Sequence, residues 1–275
     1  VLRHLLETDS CLLVGSGLTM VDWVVTLHHA GYRGQMHVIS RRGLWPLAHR
    51  PASPSHFVLK WDRPDVRAGF RQIRQHLADS SEDWRSVMDA LRPHTQTLWS
   101  QLPLTEKKRF LRHLRPYWDL HRHRLPPQVA SSLESITASG VVTKHVGKIQ
   151  EYRELENGVA VCYRPQRSTR TETLMVDCVV NCSGSDSNYR RLDSALVKGL
   201  LQQGLIQPDS LALGINRADN GAVIQADGQI SSHLYTLGPP IKGQLWETTA
   251  VPELRVQAKV LAEHLLKRIK ALTKR

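Results

Sequence analysis

The first part of the chain alternates short apolar runs with one amphipathic segment. Residues 11–14 are apolar and lead into a Gly-x-Gly turn formed by Gly15 and Gly17. Apolar residues then recur at helical spacing over 18–30, and a second strand is predicted over 35–40. The order of strand, tight turn, helix and strand predicts a βαβ unit. Because Gly17 has no side chain, a pyrophosphate could approach the N-terminus of the helix.

The middle of the chain has helical periodicity. Apolar residues recur at spacings of three and four positions across about 62–140. The pattern predicts a helix over about 105–118 and another from Leu125 to Gly140. We therefore expect a helical insertion within an α/β domain.

After the predicted insertion, the hydrophobic period changes to two. The alternating segments are 141–146, 158–163 and 173–177. This pattern predicts a β-meander over 141–177, and an apolar strand follows it. That strand ends at Ser183 and Gly184, two small residues that it could deliver to the edge of a ligand site. The predicted fold class is α/β, with a Rossmann-like parallel sheet, a β-meander and a helical insertion.

The composition is that of a folded protein. Of the 275 residues, 41% are hydrophobic, and no apolar run reaches the roughly 18 residues typical of a membrane span. The first residues lack a signal-peptide pattern, so we expect a cytoplasmic protein without a membrane partner. Val1 is not Met and a predicted strand follows it closely, which suggests a truncated segment.

Neither the cysteines nor the histidines form a familiar metal-ligand pattern. The four cysteines contain no CxxC pair. Cys178 and Cys182 lie four residues apart on a predicted strand, roughly 13 Å at ~3.3 Å per residue, which is too far to share a metal. His113, His121 and His123 lack an acidic or thiol partner at ligand spacing. We predict core thiols, a solvated basic surface around the histidines, and no metal site.

Charge adds a candidate cofactor to the predicted βαβ unit. The chain has 37 Lys and Arg against 25 Asp and Glu, a formal charge of +12, which favours anionic partners. Dinucleotide-binding folds carry an acid for the adenosine ribose about 20 residues after the glycines. Here Arg41 and Arg42 follow the second strand, and guanidinium groups suit a ribose 2′-phosphate. We predict NADP(H) in preference to NAD(H), with Gly15, Gly17 and Thr19 at the pyrophosphate. The alternative is a solvated arginine loop.

Four further motifs lie at residues 14–22, 39–43, 121–127 and 237–253, and the last is the most specific, with Gly-Pro-Pro followed by Trp-Glu-Thr-Thr-Ala-Val-Pro-Glu. Together they resemble an uncharacterised family of FAD/NAD(P)-binding flavoproteins with two dinucleotide-binding domains. The strand that ends in Cys-Ser-Gly is similar to the family's exit strand. The resemblance implies an NAD(P)-binding domain over 1–180 and the C-terminal part of an FAD-binding domain over 181–275.

The resemblance also implies a place for the flavin. In similar flavoproteins the helix that follows the last motif faces the pyrimidine side of the isoalloxazine, which places Gly238, Trp246, Thr248 and Thr249 near the flavin. Thr248 and Thr249 are also candidates to cap that helix. The family's N-terminal Gly-x-Gly-x-x-Gly unit, which holds the ADP half of FAD, has no counterpart in this sequence. We therefore expect a missing N-terminal FAD-binding segment and an inactive fragment.

The resemblance implies an FAD-dependent oxidoreductase that passes hydride from NADPH to flavin, and then to an electron acceptor or small-molecule substrate that the sequence does not define. No protein nucleophile or general base is visible, so no catalytic residue is predicted. One alternative is an NADPH-dependent flavin monooxygenase. Another is a non-enzymatic nucleotide- or nucleic-acid-binding module that uses the positive charge. The basic excess is diffuse and no nucleic-acid fold is recognised, which disfavours a nucleic acid partner.

Overall fold

The structure, a computed structural model, describes residues 2–61 and 63–273. Within them lie ten α-helices. These are α1 (Leu2–Leu6), α2 (Leu18–His29), α3 (Val66–Asp79), α4 (Trp84–Leu91), α5 (Thr95–Gln101), α6 (Leu104–His113), α7 (Arg115–Arg122), α8 (Pro127–Ala138), α9 (Ala195–Gln202) and α10 (Val251–Leu272). No described helix is long and apolar enough to cross a membrane.

The described residues also form eight β-strands. These are β1 (Ser10–Val14), β2 (Gln35–Ser40), β3 (Val142–Leu155), β4 (Gly158–Pro165), β5 (Glu172–Val176), β6 (Cys178–Asn181), β7 (Ala222–Ile224) and β8 (Ile230–Tyr235). Contacts divide the chain into two compact units. Unit 1 comprises the described residues of Val1–Ala52 and Leu114–Gly184, and unit 2 those of Ser53–His113 and Ser185–Arg275.

Unit 1 is built on one six-stranded sheet in the order β5-β4-β3-β2-β1-β6. Strands β3, β2, β1 and β6 are parallel, and β3, β4 and β5 form an antiparallel meander. The predicted Rossmann-like sheet with its meander is confirmed. Val14 pairs with Ile39 on one side and Asn181 on the other. The carboxyl ends of three parallel strands therefore lie along one edge, where α/β folds bind ligands.

The helices α2 and α8 cover one face of this sheet. The buried side chains on that face include Met20, Val24, Leu27, Met36, Leu133 and Ile136. Met20 stands where dinucleotide-binding turns carry Gly or Ala, and it is fully buried here. The opposite face is packed by Leu12, Ile39, Val161, Tyr163 and Val176. Burial on both faces explains why β1 is a continuous apolar run.

The predicted single helix over 105–118 is wrong. Helix α6 ends at His113 and α7 begins at Arg115. Pro116 lies in the first turn of α7, where its missing amide costs nothing, whereas a continuous helix would need that amide. The chain therefore breaks at Leu114, which is also the point at which it passes from unit 2 to unit 1.

Unit 2 combines the helices α3 to α6 with the C-terminal part of the chain. Its buried residues include Ile206, Ile215 and Val223, which pack beside the β7–β8 hairpin. The described residues of 53–113, most of which come from the predicted insertion, thus belong to the same compact unit as those of 185–275. These units are defined by contacts within the chain. The predicted domains, in contrast, are defined by the cofactor that each is expected to bind. The assignment of 1–180 and 181–275 to two cofactors stays a prediction.

Candidate functional site

The glycine turn after β1 is tightly enclosed at its first glycine. The Gly15 amide donates to the carbonyl of Ile39 at 2.8 Å, which extends the ladder between β1 and β2. Gly15 has a φ of +108°, and a Cβ placed on it would lie 2.6 Å from the carbonyl oxygen of Cys182. Only glycine satisfies both the left-handed φ and the close approach of β6.

The second glycine of the turn is open. Gly17 is the N-cap of α2, and because glycine has no side chain, no side-chain hydrogen bond caps the helix. A Cβ placed on Gly17 would meet no heavy atom of the described chain within 4 Å. Thr19 is exposed, and the first turn of α2 carries no acidic residue. This helix N-terminus therefore offers unshielded amides and a positive dipole end, as a phosphate requires.

The loop after β2 is fixed beside this turn. Arg41 is exposed and Arg42 half-buried, directly after β2 ends. The Gly43 amide donates to Ser40 Oγ at 3.0 Å, which forms a local turn. The Ser16 hydroxyl donates to the carbonyl of Leu44 at 2.5 Å. The structure thus brings the Gly-x-Gly turn and the arginine-bearing loop to one edge of the sheet.

The exit strand β6 ends beside the same turn. Cys182 donates its amide to the carbonyl of Val14 at 2.8 Å. The amide and hydroxyl of Ser183 both donate to Asn181 Oδ1, at 3.0 and 2.6 Å. Gly184 is exposed with a φ of +87°. Ser183 and Gly184 therefore lie at the edge that carries Gly15, as predicted, and their contact with a cofactor stays a prediction.

A chain of polar side chains crosses the sheet of unit 1. His37 Nδ1 lies 3.0 Å from His145 Nε2, and His145 Nδ1 lies 3.1 Å from Tyr163 Oη. Tyr163 donates to Glu172 Oε2 at 2.6 Å. Since the tyrosine proton points to Glu172, the consistent assignment has each histidine neutral with its proton on Nδ1. Burial lowers the pKa of His37 and of His145, and burial together with Glu172 raises the pKa of Tyr163 to about 12.

In unit 2, the predicted flavin-side residues begin at a glycine that a side chain could not replace. Gly238 has a φ of +76°, and a Cβ on it would lie 2.8 Å from Leu254 Cδ2. Its amide donates to Gln257 Oε1 at 2.8 Å. The segment after β8 is therefore joined to α10 by a hydrogen bond from the Gly238 amide to the Gln257 side chain.

Two buried polar atoms lie in the next segment. Trp246 is 3% exposed and Thr248 is 0% exposed. Trp246 Nε1 and Thr248 Oγ1 are both buried without a hydrogen-bond partner in the described part of the chain. Buried polar groups in folded proteins are nearly always paired. Thr249, in contrast, is exposed.

The prediction that Thr248 or Thr249 caps the last helix is wrong. Helix α10 begins at Val251, and its N-cap is Ala250, which has no capping side chain. Pro252 lies in the first turn of α10. Since proline favours the first turn and restricts the residue before it, it sets the helix start after both threonines. Thr248 is left with its hydroxyl inside the unit.

Trp246 belongs to an aromatic cluster formed by Trp99, Phe110 and Trp246. The rings of Trp99 and Trp246 stack with centroids 4.9 Å apart, and Phe110 meets Trp246 edge-on at 5.3 Å. Trp99 Nε1 donates to the carbonyl of Gly243 at 2.9 Å. Lys107 lies over Trp99 at 5.3 Å. Trp99 is 3% exposed, so it is a core residue and not a surface on which nucleic-acid bases could stack.

A buried carboxylate adjoins this cluster. Asp209 is 5% exposed and accepts the amides of Leu211 and Leu213 at 2.9 and 3.2 Å. A Cβ on Gly243 would lie 2.3 Å from that carboxylate. Burial lowers the pKa of Lys107, and the charge of Asp209 opposes this effect. Asp209 therefore holds its own loop against Gly243 and places a negative charge that acts on Lys107.

Several residues of these sites carry no sequence signal of their own. Ser16 occupies the variable position of Gly-x-Gly, Asp209 lies in an irregular loop, and Trp45 and Lys144 look like ordinary loop and strand residues. Their contacts involve segments far apart in the chain. Only the tertiary structure shows them.

Comparisons with known proteins find similarity in structure but not in sequence. No protein-family model matches the sequence, and no curated protein matches it. The structure is similar to that of ornithine hydroxylase from Pseudomonas aeruginosa in its reduced form, with 14% identity, a TM-score of 0.57, and coverage of 96% of this chain and 55% of that chain. L-lysine 6-monooxygenase from Pseudomonas syringae gives 15% identity, a TM-score of 0.59, and coverage of 96% and 54%.

A third similar structure is an ornithine N-hydroxylase from Kutzneria sp. 744, solved with reduced FAD, NADP⁺ and L-ornithine. It is 13% identical, with a TM-score of 0.58 and coverage of 95% of this chain and 54% of that chain. At these identities the similarity shows a shared fold and no more. The chain spans about half the length of the solved structures that it matches.

Proposed function

We propose that this chain is the NADPH-binding part of an FAD-dependent oxidoreductase. The observation that carries the proposal is the bond from Ser16 Oγ to the carbonyl of Leu44. It joins the Gly-x-Gly turn to the loop of Arg41 and Arg42. One edge thus offers an open helix N-terminus for a pyrophosphate and guanidinium groups for a 2′-phosphate.

The residues of unit 2 fit a flavin by their unsatisfied polar atoms. Trp246 Nε1 is a buried donor without an acceptor, and Thr248 Oγ1 is a buried hydroxyl without a partner. The polar pyrimidine edge of a flavin offers both acceptors and a donor. In this proposal Trp246 and Thr248 orient that edge, and Gly238 allows the chain to turn beside it. When bound, FAD supplies the acceptance of hydride from the nicotinamide.

Calorimetric titration with NADPH and NADH tests the nucleotide site. We expect NADPH to bind more tightly than NADH. The double variant Arg41→Ala with Arg42→Ala should lower the affinity for NADPH at least about tenfold, because charged hydrogen bonds to phosphate contribute roughly 1.5–3 kcal/mol each. The matched control is Arg33→Ala with Arg170→Ala, two exposed arginines of the same unit. Equal affinity for the two nucleotides, or an unchanged double variant, would contradict the proposal.

The FAD half of the proposal has its own test. The sequence holds no second Gly-x-Gly-x-x-Gly unit for the ADP half of FAD. We therefore expect the 275-residue chain to purify without flavin colour. A yellow chain with a stoichiometric flavin spectrum would contradict the proposal that a further segment is needed.

A second candidate is an amine-hydroxylating flavin monooxygenase. It is favoured because the three similar structures above are ornithine and lysine hydroxylases. The two candidates differ in what consumes the electrons. In a chain extended by the FAD-binding segment that the proposal requires, with FAD and NADPH present, oxygen uptake that depends on L-ornithine or L-lysine supports the monooxygenase. NADPH oxidation that is indifferent to these amines supports a reductase or oxidase.

A further inference from the structure

A lysine on the third strand reaches the arginine-bearing loop. Lys144 lies on β3 and pairs with Val38 of β2. A Cβ placed on Gly43 would lie 3.1 Å from Lys144 Cε and 2.6 Å from Val146 Cγ2. Gly43 follows Arg42 directly and has a φ of +62°. The turn therefore rests on the stem of Lys144, and the ammonium group lies next to the loop that carries both arginines.

The Lys144 ammonium lacks a carboxylate in the described chain. Its neighbours are the Trp45 ring, whose centroid is 5.4 Å from Nζ, and the Gly43 turn. Burial alone accounts for the lowered pKa of Lys144, and no acidic group opposes it in the part of the chain that the structure describes. Lys144 is exposed on β3, so its ammonium group is open to a ligand at this edge. An anionic ligand would supply the counter-charge that the described chain does not provide.

The surroundings of Lys144 are held in place independently of any ligand. Leu44 accepts the hydroxyl of Ser16. Further along the same loop, Leu125 donates its amide to Leu47 at 2.8 Å and accepts the amide of His49 at 2.7 Å. Trp45, between these anchors, packs against the core, and its Nε1 is buried without a partner in the described residues. The loop is thus preorganised, which lowers the entropy lost on binding.

We propose that Lys144 completes, with Arg41 and Arg42, a cationic site for the 2′-phosphate of NADPH and thereby determines the preference for NADPH over NADH. This inference rests on the proposed function and adds a specificity residue from a third strand. A phosphomonoester carries close to two negative charges at neutral pH, so a third cation contributes where NADH offers only a hydroxyl. Lys144 acts as a compact point charge, and the guanidinium groups provide planar donors.

The test compares 2′,5′-ADP with 5′-AMP, and NADPH with NADH, by calorimetry on the full chain. We expect Lys144→Met to lower the affinity for 2′,5′-ADP and NADPH about tenfold, equivalent to ~1.4 kcal/mol. The affinity for 5′-AMP and NADH should change by less than about twofold. Lys144→Arg should restore most of the affinity for the phosphorylated ligands. The control Arg33→Met removes one charge before β2, at the end of the strand opposite to Arg41. It should not change the affinity for either ligand pair.

The outcomes separate this inference from the proposed function. If the unmodified chain binds neither NADPH nor 2′,5′-ADP, or does not prefer them, the proposed function fails. If it prefers them and Lys144→Met keeps the same preference, the role of Lys144 alone is overturned. An equal loss for both ligand pairs also overturns it, because it shows a structural effect, and thermal unfolding of each variant identifies that case directly.

Discussion

A Cβ atom on Gly15 would lie 2.6 Å from the carbonyl oxygen of Cys182. This contact joins the turn after β1 to the end of β6, where the amide of Cys182 bonds to Val14. Gly17, two residues further on, has a φ of −88° and open space around it. The two glycines of one motif therefore have different physical requirements.

Alanine substitutions should separate these requirements. Gly15→Ala combines a left-handed φ with a backbone clash, so we expect it to destabilise the chain by about 2 kcal/mol or more. Gly17→Ala should cost less, about 1 kcal/mol, because a Cβ there meets no heavy atom of the described chain within 4 Å and only the preference for glycine over alanine at an N-cap is lost. If the pyrophosphate binds at Gly17 as proposed, the added methyl group should also weaken the binding of NADPH. Urea unfolding and calorimetry measure the two effects. Equal stability of the two variants would contradict the prediction.

Thr248→Val tests whether the buried hydroxyl lacks a partner. Since Thr248 Oγ1 is buried and unpaired in the described chain, its removal should leave stability unchanged or raise it by about 1 kcal/mol. The matched control is Thr95→Val. Thr95 is also buried, and its hydroxyl donates to Leu91 at 3.2 Å, so we expect a loss of roughly 1 kcal/mol there. Chemical denaturation compares the two. A clear loss at Thr248 would show that the folded chain already satisfies its hydroxyl.

The His37–His145 pair predicts a stability that falls in mild acid. Burial, and for His37 the neighbouring His145, hold both pKa values below the ordinary value in the folded chain. The unfolded chain therefore binds more protons as the pH falls through about 6.5. Stability is present above that pH and is lost as the pH decreases toward the folded-state pKa values. Urea unfolding between pH 8 and pH 5 measures this slope.

His37→Gln should make that slope shallower, because it removes one titrating group that faces His145, while Tyr163 and Glu172 keep their bond. The matched substitution is His29→Gln, at an exposed position of α2. The prediction fails if His37→Gln and the unmodified chain lose stability in parallel.

Cys178 should be the most reactive thiol of unit 1 near neutral pH. The hydrogen bond from Cys11 lowers the pKa of Cys178 to about 7, and that bond with burial raises the pKa of Cys11. The lowered pKa increases the thiolate fraction of Cys178 near neutral pH, and the thiolate is the form that reacts with iodoacetamide. Mass spectrometry should show Cys178 modified before Cys162, which is also half-buried. Cys11→Val should slow the reaction at Cys178, and an unchanged rate would contradict the role of Cys11.

Part of the candidate site followed from local sequence. The Gly-x-Gly turn, the arginines after β2 and the small residues after β6 could be placed at one edge because parallel strands carry their carboxyl ends together. The prediction that a threonine caps α10 failed because Pro252 sets the start of the helix after both threonines. The break at Leu114 was missed because the apolar period continues through Pro116.

The sequence by itself determined the elements of unit 1: the strand, turn, helix and strand of the βαβ unit and the alternating strands of the meander. These depend on periodicity and on glycine, which act over a few residues. Tertiary structure alone decided that Ser16 bonds to Leu44, that Lys144 supports Gly43, and that Trp246 stacks on Trp99. Each of these contacts joins segments far apart in the chain, and only packing fixes which distant side chains meet.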